Sequence, residues 1–219
     1  MKTRIDIALK MKETGLVPLF FHADPKVCIE VISACYKGGA RVFEFTNRGE
    51  YAWEIFTEVN KVIQANYPDM ILGAGTIMDE PTAALYLQSG AGFIVSPILS
   101  EEVIKICNRR KVLCLPGCMT LTEISKAEEL GVEIVKIFPG DQLGPEFVAA
   151  IKGPCPWSSI MPSGGVDLNE ANIVAWIKSG VHCVGMGSKL ITKEIIAKQD
   201  YATLEKNVAF VLSVIKKSK

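Results

Sequence analysis

Four stretches of this sequence repeat one pattern, in which a glycine closes a helical run and a short apolar, β-branched segment begins directly after it. They are GARVFEF from Gly39, GAGFIVS from Gly90, GVEIVKI from Gly131 and GVHCVGM from Gly180. Glycine takes the left-handed conformation that ends a helix, so each repeat spells helix stop followed by strand. The same alternation of short β-branched runs with longer amphipathic ones continues along the chain. Strands are expected at Leu16–Phe20, Val42–Phe45, Ile71–Ala74, Phe93–Ser96, Val112–Leu115, Ile134–Ile137, Ser159–Met161 and Cys183–Gly185. Helix starts are signalled at Asp24-Pro25, Asp79, Ser100, Thr120 with Glu123, and Asp167 with Glu170. Helix ends are signalled at Gly38 and Gly39, Gly90, Gly131 and Gly180. A leading helix around Ile5–Met11 and a closing one over Tyr201–Lys216 bracket the set. The closing helix carries Leu204, Val208, Val211, Leu212 and Ile215 on one face, which should pack on the exterior of the sheet.

Eight strand-helix units in 219 residues, with no composition break or low-complexity linker, are expected to form one domain over residues 1–219. Two architectures fit the alternation: a (β/α)₈ TIM barrel with an additional N-terminal helix, or a doubly wound open sheet. The positions of the unusual residues favour the barrel. Glu44, Gly75-Thr76, Pro97, Pro116-Gly117, Lys136, Ser163-Gly164-Gly165 and Gly187-Ser188 all fall within or just after strands. A barrel gathers those positions at one mouth, whereas an open sheet spreads them along an edge.

Charge excludes several functions. The 24 Lys and Arg balance the 24 Asp and Glu, and the only basic cluster is the terminal Lys216, Lys217 and Lys219, so neither nucleic acid nor an anionic membrane surface is an expected partner. The charged start MKTRIDIALKMKE does not resemble a signal peptide, and no apolar run approaches the roughly 18 residues of a membrane-spanning helix. A cytoplasmic protein is expected. Its seven cysteines form no C-x-x-C pair and read as buried thiols. Cys114 and Cys118 lack a nearby histidine, so no metal and no cofactor are expected.

Lys136 sits inside VEIVKIFPG, an apolar strand in which an unpaired ammonium would cost several kcal/mol of desolvation. Counted from the four repeat glycines, the fifth residues are Glu44, Val95, Lys136 and Gly185. In a barrel this shared offset puts a carboxylate and a lysine in one inward-facing layer, with a glycine leaving space beside them. An amine held in an apolar site loses basicity and becomes a nucleophile toward carbonyl carbon, while the carboxylate can move protons. Arg48 follows in VFEFTNRGE and suits bidentate contact with a substrate carboxylate. The plainer alternative for Glu44 and Arg48 is a surface salt bridge. Gly73-Ala74-Gly75-Thr76 offers close backbone approach and a hydroxyl, or an ordinary turn. Met161-Pro162-Ser163-Gly164-Gly165 and Gly185-Met186-Gly187-Ser188 resemble the anion site that many barrels build after strands seven and eight, with a short helix expected from Ser188. No role is assigned to His22 or His182.

Taken together, FEFTNRG, GAGTI, VSP, PGCMTLTE, VKIFPG, MPSGGV and VGMGS, in this order between residues 42 and 188, resemble the 2-keto-3-deoxy-6-phosphogluconate (KDPG) aldolase family, which includes 4-hydroxy-2-oxoglutarate (KHG) aldolases. The resemblance implies a trimeric, metal-free class I aldolase on a (β/α)₈ barrel. By the same resemblance Lys136 corresponds to the Schiff-base lysine and Glu44 to the acid/base. Arg48, Thr76 and Pro97 match the pocket for the keto-acid end, and Ser163, Gly164, Gly165, Gly187 and Ser188 match the phosphate end. Gly49 after Arg48, Ser163 before the paired glycines and Gly140-Asp141 after the lysine strand depart from the common pattern. Two other classes share parts of these motifs: a phosphate-binding barrel epimerase or metal-dependent decarboxylase, and a non-catalytic sugar-acid phosphate sensor.

Overall fold

The computed structural model describes residues 2–219. Each expected strand forms, and every strand pairing is parallel. In chain order the strands are β1 (Leu16–Phe20), β2 (Val42–Thr46), β3 (Ile71–Gly75), β4 (Phe93–Val95), β5 (Leu113–Leu115), β6 (Gly117–Cys118), β7 (Val135–Ile137), β8 (Ile160–Pro162) and β9 (Val184–Met186). Six lie in the order β5-β4-β3-β2-β1-β9 and three in the order β6-β7-β8. A parallel bridge between Ser163 and Gly185 joins β8 to β9, and Pro116 alone separates β5 from β6. The eight expected units thus curl into a barrel.

The fifth barrel strand forms over the expected Val112–Leu115 run as β5 and then extends past it, because β6 resumes the strand at Gly117–Cys118 after Pro116. Proline has no N–H to give the ladder, so pairing stops at Pro116. The carbonyls around the break are still used: Ser96 N–H donates to Leu115 O at 3.1 Å and Lys136 N–H to Pro116 O at 3.0 Å.

Alternation along the strands sorts side chains into two cores. Val17, Val42, Ile71, Phe93, Val95, Leu113, Leu115, Ile134, Met161 and Cys183 fill the lumen, with Ile7 and Met11 of helix α1 (Arg4–Thr14) packed against them. Helix α1 therefore seals the N-terminal end of the barrel. Phe43 and Phe45 of β2 point the other way, into the core shared with the surrounding helices. Glu44 has the parity of Val42, so the pleat turns it inward. That is the orientation expected from the sequence.

The helices on the outside are α2 (Pro25–Lys37), α3 (Ala52–Asn66), α4 (Glu80–Gln88), α5 (Glu101–Arg110), α6 (Leu121–Glu129), α7 (Gly140–Lys152), α8 (Glu170–Lys178), α9 (Lys193–Lys198) and α10 (Tyr201–Ser218). Asp24, Asp79, Ser100 and Thr120 cap α2, α4, α5 and α6 as expected. Asp167 does not cap α8: Asn169 does, and Asp167 accepts the Asn169 N–H at 2.8 Å, steadying the cap from two residues upstream. Gly39, Gly90, Gly131 and Gly180 all have positive φ, whereas Gly38 is right-handed at φ −69°. Gly38 is needed for space instead, because a Cβ there would lie 2.6 Å from Glu205 O and 2.8 Å from Val208 Cβ of α10. Helix α10 packs on α2 and α8 through buried Leu204, Val208, Val211 and Ile215, with Val214 added and Leu212 only partly covered. No helix among the described residues is long and apolar enough to cross a membrane.

Candidate active site

At the C-terminal end of the barrel, Glu44 of β2 and Lys136 of β7 are almost fully buried, at 1% and 5% exposure. A buried ion pair is the usual way to carry two such charges inside. Here the ion pairs among the described residues all join partly exposed side chains, and none includes Glu44 or Lys136. Glu44 Oε2 has no hydrogen-bond partner. Lys136 Nζ lies 4.8 Å from the centre of the Phe138 ring, a cation–π distance.

Burial is the dominant influence on both groups. It lowers the pKa of Lys136 below the ordinary lysine range, Glu44 draws it back up, and Arg48 presses it down. Burial raises the pKa of Glu44, and Lys136 and Arg48 act against that rise. Each group thus resists ionising while the other partly compensates. Arg48 stands in the exposed loop after β2 and acts on both.

Room for the carboxylate comes from a glycine other than the one the shared offset suggests. Gly185 does not crowd Glu44; a Cβ there would meet Pro162 O at 3.3 Å and Leu19 Cδ2 at 3.5 Å. Gly75, at the end of β3, does: a Cβ on it would sit 1.8 Å from Glu44 Oε1. The next residue, Thr76, has φ 61°. For a β-branched residue this is an outlier that costs about 1–3 kcal/mol and concentrates at functional sites. Across the barrel mouth Gly117 allows close approach to Pro97, whose carbonyl oxygen would lie 2.3 Å from a Cβ at that position. Glu44, Arg48, Thr76, Pro97 and Lys136 therefore all stand at the same end of the barrel.

Ser163, Gly164 and Gly165 follow β8, and Gly187 and Ser188 follow β9, brought side by side by the Ser163–Gly185 bridge. Gly164 and Gly165 have φ 89° and 75°, values that favour glycine at both places. The helix expected from Ser188 is absent. Gly187 O accepts the N–H groups of Leu190 and Ile191, both at 2.9 Å, in a single turn, and helix α9 begins only at Lys193. Gly187-Ser188 thus lies in a loop, without a helix dipole behind it.

Sequence reasoning missed the residues that hold these loops. Asn172 Nδ2 and Trp176 Nε1 of α8 both donate to Gly165 O, at 3.0 and 3.1 Å, and fasten the glycine turn to the helix. Asn47 N–H donates to Gly75 O at 2.7 Å, while its Oδ1 accepts from the hydroxyl of fully buried Tyr86 at 2.9 Å. This chain of bonds ties the segment bearing Arg48 to the glycine beside Glu44. Asn47 was visible in FEFTNRG, but no local pattern marks Tyr86. Two cavities of about 670 and 730 Å³ lie at the other end of the barrel and touch none of these residues. Chemistry, rather than cavity size, makes the mouth the candidate site.

A sequence model of the "KDPG and KHG aldolase" family matches residues 7–207. This chain belongs to that family. It is 29% identical over 215 residues to the 2-dehydro-3-deoxy-phosphogluconate aldolase of Haemophilus influenzae, covering 98% of this chain and 99% of the relative. It is 31% identical over 187 residues to the enzyme of the same name from Dickeya dadantii, covering 85% of each. The KDPG aldolase of Legionella pneumophila, whose crystal structure holds pyruvate captured as a covalent carbinolamine, has the same fold, with a TM-score of 0.83 at 22% identity over 93% of this chain and 97% of that one.

Replacing Gly75 with alanine should push the Glu44 carboxylate out of its place while leaving the barrel folded. A displacement of this kind should lower aldol cleavage by about 10²-fold or more, measured as kcat/KM beside a circular-dichroism check. Parent-like turnover in the folded variant would mean that the position of the carboxylate does not matter.

Proposed function

We propose that this chain is a class I aldolase whose nucleophile is Lys136 and whose proton carrier is Glu44, acting on 2-keto-4-hydroxy acids. The observation that carries the reading is a lysine and a glutamate buried at one barrel mouth, each with its charged form disfavoured by burial. Neutral Lys136 adds to the C2 ketone of the substrate, and loss of water gives an iminium, an electron sink next to the bond that breaks. Glu44 takes the C4 hydroxyl proton, directly or through water, as the C3–C4 bond cleaves and its electrons pass into the enamine. The aldehyde leaves. Protonation of the enamine carbon and hydrolysis of the iminium then release pyruvate and return the free amine.

The remaining residues position the substrate. Arg48 pairs with the keto-acid carboxylate, Thr76 and Pro97 line that end, and the loops of Ser163, Gly164, Gly165, Gly187 and Ser188 take the distal phosphate. Binding energy from that distal grip can be used at the reacting carbon. KDPG, yielding pyruvate and glyceraldehyde 3-phosphate, is the proposed substrate, with KHG, yielding pyruvate and glyoxylate, as a second. Family membership favours this over a barrel epimerase, a decarboxylase or a sensor. No step requires a metal or an organic cofactor. We assign the activity to one domain spanning residues 1–219 of a cytoplasmic protein.

Self-association as a homotrimer is part of the same reading. Trp53, Met78, Ile98, Met119 and Leu121 are exposed apolar side chains in the loops and first helical turns after β2, β3, β4 and β6. An apolar rim of this kind suits contact with another copy. Sedimentation equilibrium should give three times the chain mass, and a single-chain mass at micromolar concentration would refute the assembly.

Exchange of Glu44 for glutamine keeps the size and removes the proton carrier. Cleavage of KDPG and KHG should both fall by about 10²–10⁴-fold, the span of general acid–base catalysis, in steady-state assays of pyruvate release. Turnover within a few-fold of the parent would make Glu44 structural. Parent protein that releases no pyruvate from either acid would remove the substrate assignment.

A further inference from the structure

The strands β3, β4 and β5 begin, at the end opposite Lys136, on a cavity of about 730 Å³. Its apolar walls include Ile7, Met70, Leu72 and Leu87. Small residues hold it open, for Gly90-Ala91-Gly92 replaces bulk along the side that leads into β4. Four cations line it, Lys2, Arg4, Arg110 and Lys111, and no carboxylate does. Two of the four are already engaged: Arg4 binds Glu133 and Asn108, and Lys2 donates to Asp69 O. Arg110 and Lys111, at the end of α5, enter none of the ion pairs or side-chain hydrogen bonds found among the described residues.

Asn60 lines the same cavity at 7% exposure, and its amide hydrogens are spent on Ser89 O and Gly90 O at 3.0 and 3.2 Å. Asn60 Oδ1 has no partner. A buried acceptor left open is costly in a folded protein; this one is closed off from solvent and is a local cost of the turn at Gly90, not a contact offered to the cavity. Gly90 makes the arrangement possible, since a Cβ there would press to 2.8 Å from Asn60 Nδ2.

We propose that this cavity binds a small organic anion: an apolar body with one acidic group. Concave apolar walls with a few convergent polar groups are the usual form of a small-molecule site. Low-dielectric walls also strengthen the field of unpaired Arg110 and Lys111 at the opening. The site is separated from the barrel mouth by a strand length of about 15 Å, so it is distinct from the aldolase site and does not depend on the reading of Lys136.

The probe is anilinonaphthalenesulfonate, which joins two aromatic ring systems and an N–H to one sulfonate, titrated into the full-length protein and followed by fluorescence. One saturable site per chain is expected. The double variant Arg110→Glu, Lys111→Glu changes exposed side chains only and should weaken binding at least about ten-fold, a change of about 1.4 kcal/mol. Leu87→Trp, which fills the cavity, should abolish it, and Lys136→Met at the other end should leave it unchanged. Undiminished binding to the double variant, loss of binding in Lys136→Met, or no saturable binding to the parent protein would each overturn the proposal.

Discussion

The interior of the barrel mouth holds one lysine amine and one carboxyl group in a space that favours the charged form of neither, and much of the surrounding structure follows from that constraint. Desolvation makes each group expensive to ionise alone, while their mutual attraction offsets part of the cost. For Lys136 the net effect is a weaker base than an exposed lysine, and for Glu44 a weaker acid than an exposed glutamate. A tight ion pair would remove this tension and hold Lys136 protonated. Among the described residues no such pair forms between them. Gly75 provides the space for Glu44, the Phe138 ring lies near Lys136 Nζ, and Arg48 biases both groups from the loop above.

Keeping that arrangement requires rigid support. Thr76 is held at a positive φ, and the hydrogen bonds from Tyr86 to Asn47 and from Asn47 to Gly75 tie the chain just after Glu44 to β3 and α4. On the facing wall, the Pro116 carbonyl accepts the N–H of Lys136, so the ladder between β6 and β7 holds the lysine's backbone in spite of the proline. Asn172 and Trp176 do the same for the glycine turn at Gly165. The opposite end is closed by α1, whose Ile7 and Met11 complete the luminal core. Stability and chemistry are thereby divided between the two ends, as in other barrels.

Features that depend on short-range pattern were legible in the sequence. The helix-stop glycines and β-branched runs located every barrel strand, and parity along VFEF placed Glu44 inside, because a pleat alternates whatever the tertiary context. Features that depend on neighbours distant in the chain were not. The role of Gly75 arises from β2 lying beside β3, and that of Tyr86 from α4 meeting the loop after β2. Asp167 resembled a cap because the local spelling D-x-x-E fits one, but the backbone turned two residues later at Asn169. The turn at Ser188 carried a helix-like start without continuing into a helix. Gly38 ends α2 as expected, but it is right-handed, and its lack of a side chain answers a packing demand from α10, about 170 residues away in the chain.

The central claim is that Lys136 is the amine that attacks, and borohydride trapping with pyruvate tests it most directly. Hydride reduces an iminium to a stable secondary amine, so peptide mapping by mass spectrometry reports which lysine formed it. The account predicts one reduced pyruvyl group, on Lys136, with loss of cleavage activity. Because burial lowers the pKa of Lys136, the trapping rate should rise with pH through an apparent value below the ordinary 10.5 of lysine. An adduct mapped to Lys152 or Lys189 with Lys136 unmodified, or activity that survives full modification of Lys136, would contradict it.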